Sequence, residues 1–186
     1  MHLVQPAREH LASYRDALER GFSPNNVDPE RVRREHLTLI AEEPDALLAR
    51  MTDPDANGPE VRMADGSTMP RLPGLTRWGW DEDGFCGTIN LRWPKAGETL
   101  PAHVPGHIGF AVPEWKRRRG YASAMLAATL DEARERGLDA VELVAQPDNP
   151  GSCRTIERLG GVAVGRFDSG DLHHACQAAV LYRIAL

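Results

Sequence analysis

The chain has 186 residues, 41% of them hydrophobic and 26% charged, enough for one packed domain and cramped for two. Its net charge of −5 argues against a general nucleic-acid surface, and no apolar run reaches the length of a membrane span. The N-terminus lacks the charged-then-apolar pattern of a signal peptide, and Cys86, Cys153 and Cys176 are odd in number without C-x-x-C spacing, so a cytoplasmic protein with reduced thiols is expected.

Residues 3–5 form a short strand closed by Pro6, and 7–21 a helix with Leu11, Tyr14 and Leu18 on one face, stopped at Gly21. A second helix is expected over 28–42, capped by Asp28 with Pro29 at its first position and Val32, Leu37 and Ile40 apolar. A turn of helix at 45–51 leads into 52–73, whose Pro, Gly, Asp and Met content predicts a long irregular connection. Residues 77–80 and 85–93, joined by Asp81-Glu82-Asp83-Gly84, form an antiparallel hairpin. Trp78, Trp80 and Trp93 alternate on it; packing is their default role and a substrate wall the alternative. The acidic clusters at 42–45 and 81–83 are solvated loops in the simplest reading, and walls for a cationic amine in the other.

After a loop at 94–106, residues 107–112 make a strand stopped by Pro113. The helix over 119–136 is the best-defined element, with Ala122, Met125, Leu126, Thr129, Leu130 and Ala133 at helical spacing and Gly137 at its end. A buried strand at 140–145 precedes a short helix capped by Asn149 with Pro150 first, ending at Gly160-Gly161. Strands at 161–167 and 178–184 complete an α/β order with a mostly antiparallel sheet of six to seven strands flanked by helices.

The chemistry concentrates at Arg117-Arg118-Arg119-Gly120-Tyr121-Ala122, where three guanidinium groups and a small-residue turn open a helix. The first N–H groups of a helix lack intrahelical partners and the dipole adds positive charge, so such a turn cradles a phosphate or pyrophosphate. Lys116 extends the basic run to four residues against an acidic background. His173-His174-x-Cys176 has metal-ligand residue types but no second cluster at finger-like spacing, so a polar loop is expected there and no metal.

Together these features resemble the GNAT family of N-acetyltransferases. The R-x-x-G-x-A of 117–122 is similar to that family's acyl-CoA signature, with Val112-Pro113 before it. Asn149-Pro150-Gly151-Ser152, running on to Gly160, looks like its N-x-x-S helix. The strong likeness covers about a third of the chain. Its G-H-I-G-F strand, R-R-R-G-Y-A turn and Y-R-I-A-L strand look most like a group of bacterial predicted acetyltransferases.

The resemblance implies a single GNAT-like domain over 1–186, with acceptor-side helices and loop at 1–75, an acyl-CoA-binding core at 76–168 and a C-terminal strand at 169–186. It implies that N–H groups of Arg118, Arg119, Gly120, Tyr121 and Ala122 bind the pyrophosphate of coenzyme A, with Arg117 and Arg119 adding charge-assisted contacts. Backbone groups of Phe110, Ala111 and Val112 would pair with the pantetheine arm, the Val112 N–H would polarise the acetyl carbonyl, and Asn149 and Ser152 would touch the arm's far side. Many members carry a tyrosine that protonates the leaving thiolate; here the matching position is Ile156. His107 and Tyr182 are the remaining candidates for proton transfer. The implied reaction is direct acetyl transfer from acetyl-CoA to an amine, a small molecule rather than a protein, with no metal and no nucleic-acid or membrane partner; a homodimer is left open. The alternatives are a non-catalytic acyl-CoA sensor, which Ile156 motivates, and transfer of a longer acyl chain.

Overall fold

The computed structural model describes residues 1–26, 28–62, 66–95, 98–101, 104–168 and 178–186. His173, His174 and Cys176 lie outside the described residues. The elements run β1 (His2–Val4), α1 (Leu11–Glu19), α2 (Pro29–Glu42), α3 (Pro44–Met51), β2 (Thr52–Asp53), β3 (Val61–Arg62), β4 (Thr68–Met69), β5 (Gly74–Asp81) and β6 (Gly84–Arg92). They continue with β7 (Ile108–Ala111), α4 (Tyr121–Glu135), β8 (Ala140–Ala145), α5 (Pro150–Arg158), β9 (Val162–Asp168) and β10 (Ala178–Ala185).

Local signals set most boundaries. The Asp28 carboxylate accepts from the Arg31 N–H at 3.3 Å and Pro29 opens α2. Asn149 does the same for α5, accepting from the Ser152 N–H at 3.2 Å. The expected irregular stretch after residue 51 contains three two-residue strands, of which β3 and β4 pair only with each other. β5 begins at Gly74, three residues before the predicted hairpin, because it pairs with β2 there as well as with β6.

The antiparallel strands flanked by helices form two main sheets. One sheet has the order β1-β5-β6-β7, with β2 also on β5; the other is β8-β10-β9, and all recorded pairs are antiparallel. α4 crosses between them and carries the chain from β7 to β8. Its buried face, Met125, Leu126, Thr129, Leu130 and Ala133, packs against Ile89, Leu91 and Ile108 of the first sheet and Val141, Leu143 and Tyr182 of the second. Buried Thr129 satisfies its hydroxyl on the Met125 carbonyl at 2.9 Å.

The opposite face of the first sheet holds a separate aromatic core. Trp78 and Tyr14, both fully buried, lie with ring centroids 4.4 Å apart, and Phe85 and Phe22 pack around them beneath α1 and α3. The hairpin tryptophans therefore pack: Trp80 lies 4.7 Å from the His10 ring, and Trp93 sits beneath the Arg136 guanidinium. Period-two alternation sends Ile108 and Phe110 of β7 toward the α4 core and Ala111 toward the aromatic core.

Candidate functional site

The two sheets meet at one point and separate from it. The His107 N–H donates to the Glu142 carbonyl at 2.7 Å, and the Glu142 N–H donates back to His107 Nδ1 at 3.0 Å. Beyond this clasp no ladder pair joins β7 to β8 among the described residues. Gly106 permits the approach: a Cβ there would lie 2.6 Å from the Glu142 carbonyl oxygen, and its φ of +135° lies outside the region that L side chains favour. The result is a wedge, closed at His107 and open along Gly109, Phe110, Ala111 and Val112.

The clasp defines what His107 can do. Nδ1 is an acceptor, and burial lowers the ring's pKa, helped by Arg92 and Arg183 and opposed by Glu142. A neutral ring with Nδ1 accepting carries its proton on Nε2, so His107 here is a donor and a structural pin.

The turn from β7 into α4 is wound by two left-handed residues, Arg118 at φ +63° and Gly120 at φ +80°. No side chain caps α4, and the first intrahelical bond runs from the Ala124 N–H to the Gly120 carbonyl at 3.0 Å. The N–H groups of Tyr121, Ala122 and Ser123 precede that bond, so the helix dipole and unspent donors converge at the turn. The side chains of Arg117, Arg118 and Arg119 are exposed around it, and Arg117 Nε also donates to the Val112 carbonyl at 3.4 Å. Ser123 adds a donor that a motif ending at Ala122 did not include.

Lys116 departs from the expected basic run. Only 6% exposed, it turns inward, and its Nζ donates to both Asp81 carboxylate oxygens at 2.9 Å and to Asp83 Oδ2 at 3.1 Å. The Tyr121 hydroxyl donates to Asp81 Oδ2 at 2.6 Å. Desolvation pushes Asp81 up, yet hydrogen bonds from Lys116, Tyr121 and the Asp83 N–H, with the Lys116 charge, bring its pKa below the ordinary value. Asp81 and Asp83 are thus spent on anchoring the turn, and Asp45 is paired with Arg8.

On the far side of the wedge, Asn149 and Ser152 sit at the start of α5, the first engaged as its cap. Ile156 is 1% exposed within the α4 core and carries no proton-transfer role. The Tyr182 hydroxyl, on β10, reaches the same helix: it donates to Glu157 Oε1 at 3.2 Å and is in hydrogen-bond contact with Cys153. The contact with Cys153, burial and the Glu157 carboxylate all raise the Tyr182 pKa, so the phenol stays protonated and can act as a donor. Cys86 is buried, its thiol pushed up to about 11 mainly by desolvation, and lies outside this site.

Comparison with known proteins identifies the family and the fold. The family model for the acetyltransferase (GNAT) domain matches residues 14–162. The microcin C7 self-immunity acetyltransferase MccE, solved with acetyl-CoA and AMP, superposes with a TM-score of 0.65 at 12% identity, covering 99% of this chain and 91% of that one. Mycobacterium smegmatis RimJ, in complex with CoA-disulfide, gives 0.66 at 16% identity over 98% and 80%. A chimera of the Vibrio cholerae spermidine N-acetyltransferase SpeG gives 0.61 at 13% over 100% and 96%. No curated protein sequence matches the chain. Among the described residues no helix is long and apolar enough to cross a membrane.

Proposed function

The chain belongs to the GNAT acetyltransferase family, and from that membership we propose that it moves the acetyl group of acetyl-CoA to an amine by direct transfer within a ternary complex. The observation that carries this reading is the wedge between β7 and β8, with the turn at 117–122 at its open end.

In this reading the pyrophosphate rests on the N–H groups of Arg118, Arg119, Gly120, Tyr121 and Ala122, with Arg117 and Arg119 neutralising its charge. The pantetheine arm lies in the wedge against Phe110, Ala111 and Val112, with Asn149 and Ser152 across from it. A fixed N–H on that strand, assigned to Val112, stabilises the tetrahedral oxyanion. Holding both reactants in one cleft supplies much of the rate. The protonated Tyr182 phenol serves the leaving thiolate in place of the tyrosine absent at Ile156, and a thiolate with pKa near 8.5 is itself a fair leaving group.

The amine must be neutral to attack. With His107 a donor, a lysine-like amine of pKa about 10.4 faces a cost of roughly 4.6 kcal/mol at pH 7, whereas an α-amine of pKa about 8 faces roughly 1.4 kcal/mol. This favours a weakly basic amine as the acceptor.

The test is to incubate the protein with acetyl-CoA and an amine panel and to follow free thiol release. Turnover with at least one amine supports transfer. Coenzyme A binding without turnover on any amine would favour the sensor, which the buried Ile156 motivates. No coenzyme A binding at all would sink both.

A further inference from the structure

Arg92 is a half-buried cation, its Nε fully buried, that the reaction outlined above does not use. It ends β6, where its N–H donates to the His107 carbonyl at 2.8 Å, so it sits beside the closed end of the wedge. Leu91 belongs to the α4 core, and alternation turns Arg92 and Asn90 to the other face, the one that α1, α2 and α3 cover. Both reach over β7 at Gly109: a Cβ there would lie 2.8 Å from Asn90 Oδ1 and 3.9 Å from Arg92 Nη2.

Arg92 Nε is buried without a hydrogen-bond partner, and the guanidinium forms no ion pair among the described residues. Burial lowers its pKa, and among the described residues no carboxylate offsets that. In the connection from Trp93 to His107 the sequence offers a single carboxylate, Glu98. A guanidinium taken out of water without a counter-charge is costly and is ordinarily paired. Asn90 is oriented by accepting from the Gly109 N–H at 2.7 Å, which leaves its amide NH2 as a second donor on the same face.

Gly109 adjoins Phe110 on β7, the strand along which the proposed reaction lays the pantetheine arm and whose Val112 N–H it assigns to the acetyl carbonyl. We propose that Arg92, with Asn90 beside it, binds an anionic group of the acceptor, so that the substrate carries a carboxylate or a phosphate together with its amine. The inference rests on the N-acetyltransferase reading for its location beside the acetyl group. A guanidinium suits either anion through paired N–H donors, and Gly109, with no Cβ, lets Asn90 and Arg92 reach over β7.

The experiment uses matched amines: serine against serinamide and β-alanine against β-alaninamide for carboxylates, phosphoethanolamine against ethanolamine for phosphates. Thiol release from acetyl-CoA gives kcat and KM for each, with KM expressed per unprotonated amine at the assay pH, in the wild type, R92M and R92K. In parallel, protein saturated with coenzyme A is titrated with the same amines while the Arg92 Nε–H resonance is followed by NMR. At least a tenfold higher kcat/KM is expected for one anionic class over its neutral partner. R92M is expected to erase that preference by raising the acceptor KM at least tenfold, with the acetyl-CoA KM unchanged, and R92K to fall between; an unchanged acetyl-CoA KM also verifies that the variant is folded. Which class is preferred separates carboxylate from phosphate. Equal kcat/KM for charged and neutral partners, or an R92M acceptor KM equal to wild type, would overturn the proposal. If no amine turns over but an anionic amine still shifts the Arg92 resonance, the anion site stands and the enzymatic reading fails. If neither occurs, both fall.

Discussion

At the scale of single residues, the position of the turn at 117–122 depends on Lys116 as much as on the arginines that follow it. Lys116 is anchored by Asp81 and Asp83 from the tip of the β5–β6 hairpin, and Tyr121, in the first turn of α4, is held by the same Asp81. These contacts bracket the turn from both sides. Asp81→Asn keeps the shape and removes the charge, so the turn should lose its position while the reacting groups stay in place. We expect a rise of about tenfold in the acetyl-CoA KM, equivalent to about 1.4 kcal/mol, with kcat within about twofold. Steady-state kinetics at saturating acceptor would show it, and an unchanged KM would remove Asp81 from any positioning role. Lys116→Met leaves Asp81 buried without its cation and should cost roughly 2–4 kcal/mol in urea unfolding. Asp81 is held below its ordinary pKa and Lys116 above its own, so the anchor is intact above the unfolded carboxylate value of about 4 and below the unfolded ammonium value of about 10.5. Acetyl-CoA affinity lost through this anchor should therefore appear only in acid or strong alkali. Nothing near Lys116 in the sequence announced its partners, which lie 35 and 33 residues away. The residue read as a fourth basic group for that reason.

At the scale of elements, what was legible is what local chemistry decides. Asp28-Pro29 and Asn149-Pro150 opened helices where expected, and the apolar spacing of α4 identified its buried face, because a cap or a 3.6-residue period acts within a few residues. The packing of α2 on α1 was not legible, since it includes a polar contact across 22 residues: the Tyr14 hydroxyl and His36 Nδ1 are hydrogen-bonded at 2.8 Å. Burial, opposed by Glu35 and reinforced by Arg50, lowers the His36 pKa from 6.5 to about 4. The unfolded chain therefore binds a proton at a pH where the folded chain does not. The stability from a neutral His36 is complete above pH 6.5 and declines as the pH falls toward 4, by up to about 3 kcal/mol. Urea midpoints measured from pH 7 to pH 4.5 should fall, and His36→Gln, which keeps an acceptor without titrating, should flatten much of that slope. An equal slope in His36→Gln would place the acid sensitivity elsewhere.

At the scale of the molecule, the division into two sheets decides how donor binding couples to stability. Besides α4, the sheets are joined at the His107–Glu142 clasp, and the strands part beyond it. Apolar patterning did not carry this arrangement, because β7 and β8 each read as an ordinary apolar strand; the close approach that joins them at one end depends on Gly106, 36 residues from Glu142. A ligand lying in the wedge would touch both sheets, so it should stabilise the fold as a whole rather than one half. At a hundredfold excess over Kd, coenzyme A should add about 2.7 kcal/mol, a Tm rise of roughly 5–10 °C for a chain of this size. Gly106→Ala tests the cause. Its methyl group would meet the Glu142 carbonyl at 2.6 Å and force the clasp open, costing at least 1–3 kcal/mol as overpacking does. Because the wedge would lose its closed end, the variant's thermal shift with coenzyme A should fall well below that of the wild type, while the unliganded variant still melts cooperatively. A wild-type shift near zero would disprove binding across the two sheets. A full shift in Gly106→Ala would show that the clasp closes the wedge without shaping it, leaving the turn at 117–122 as the source of affinity.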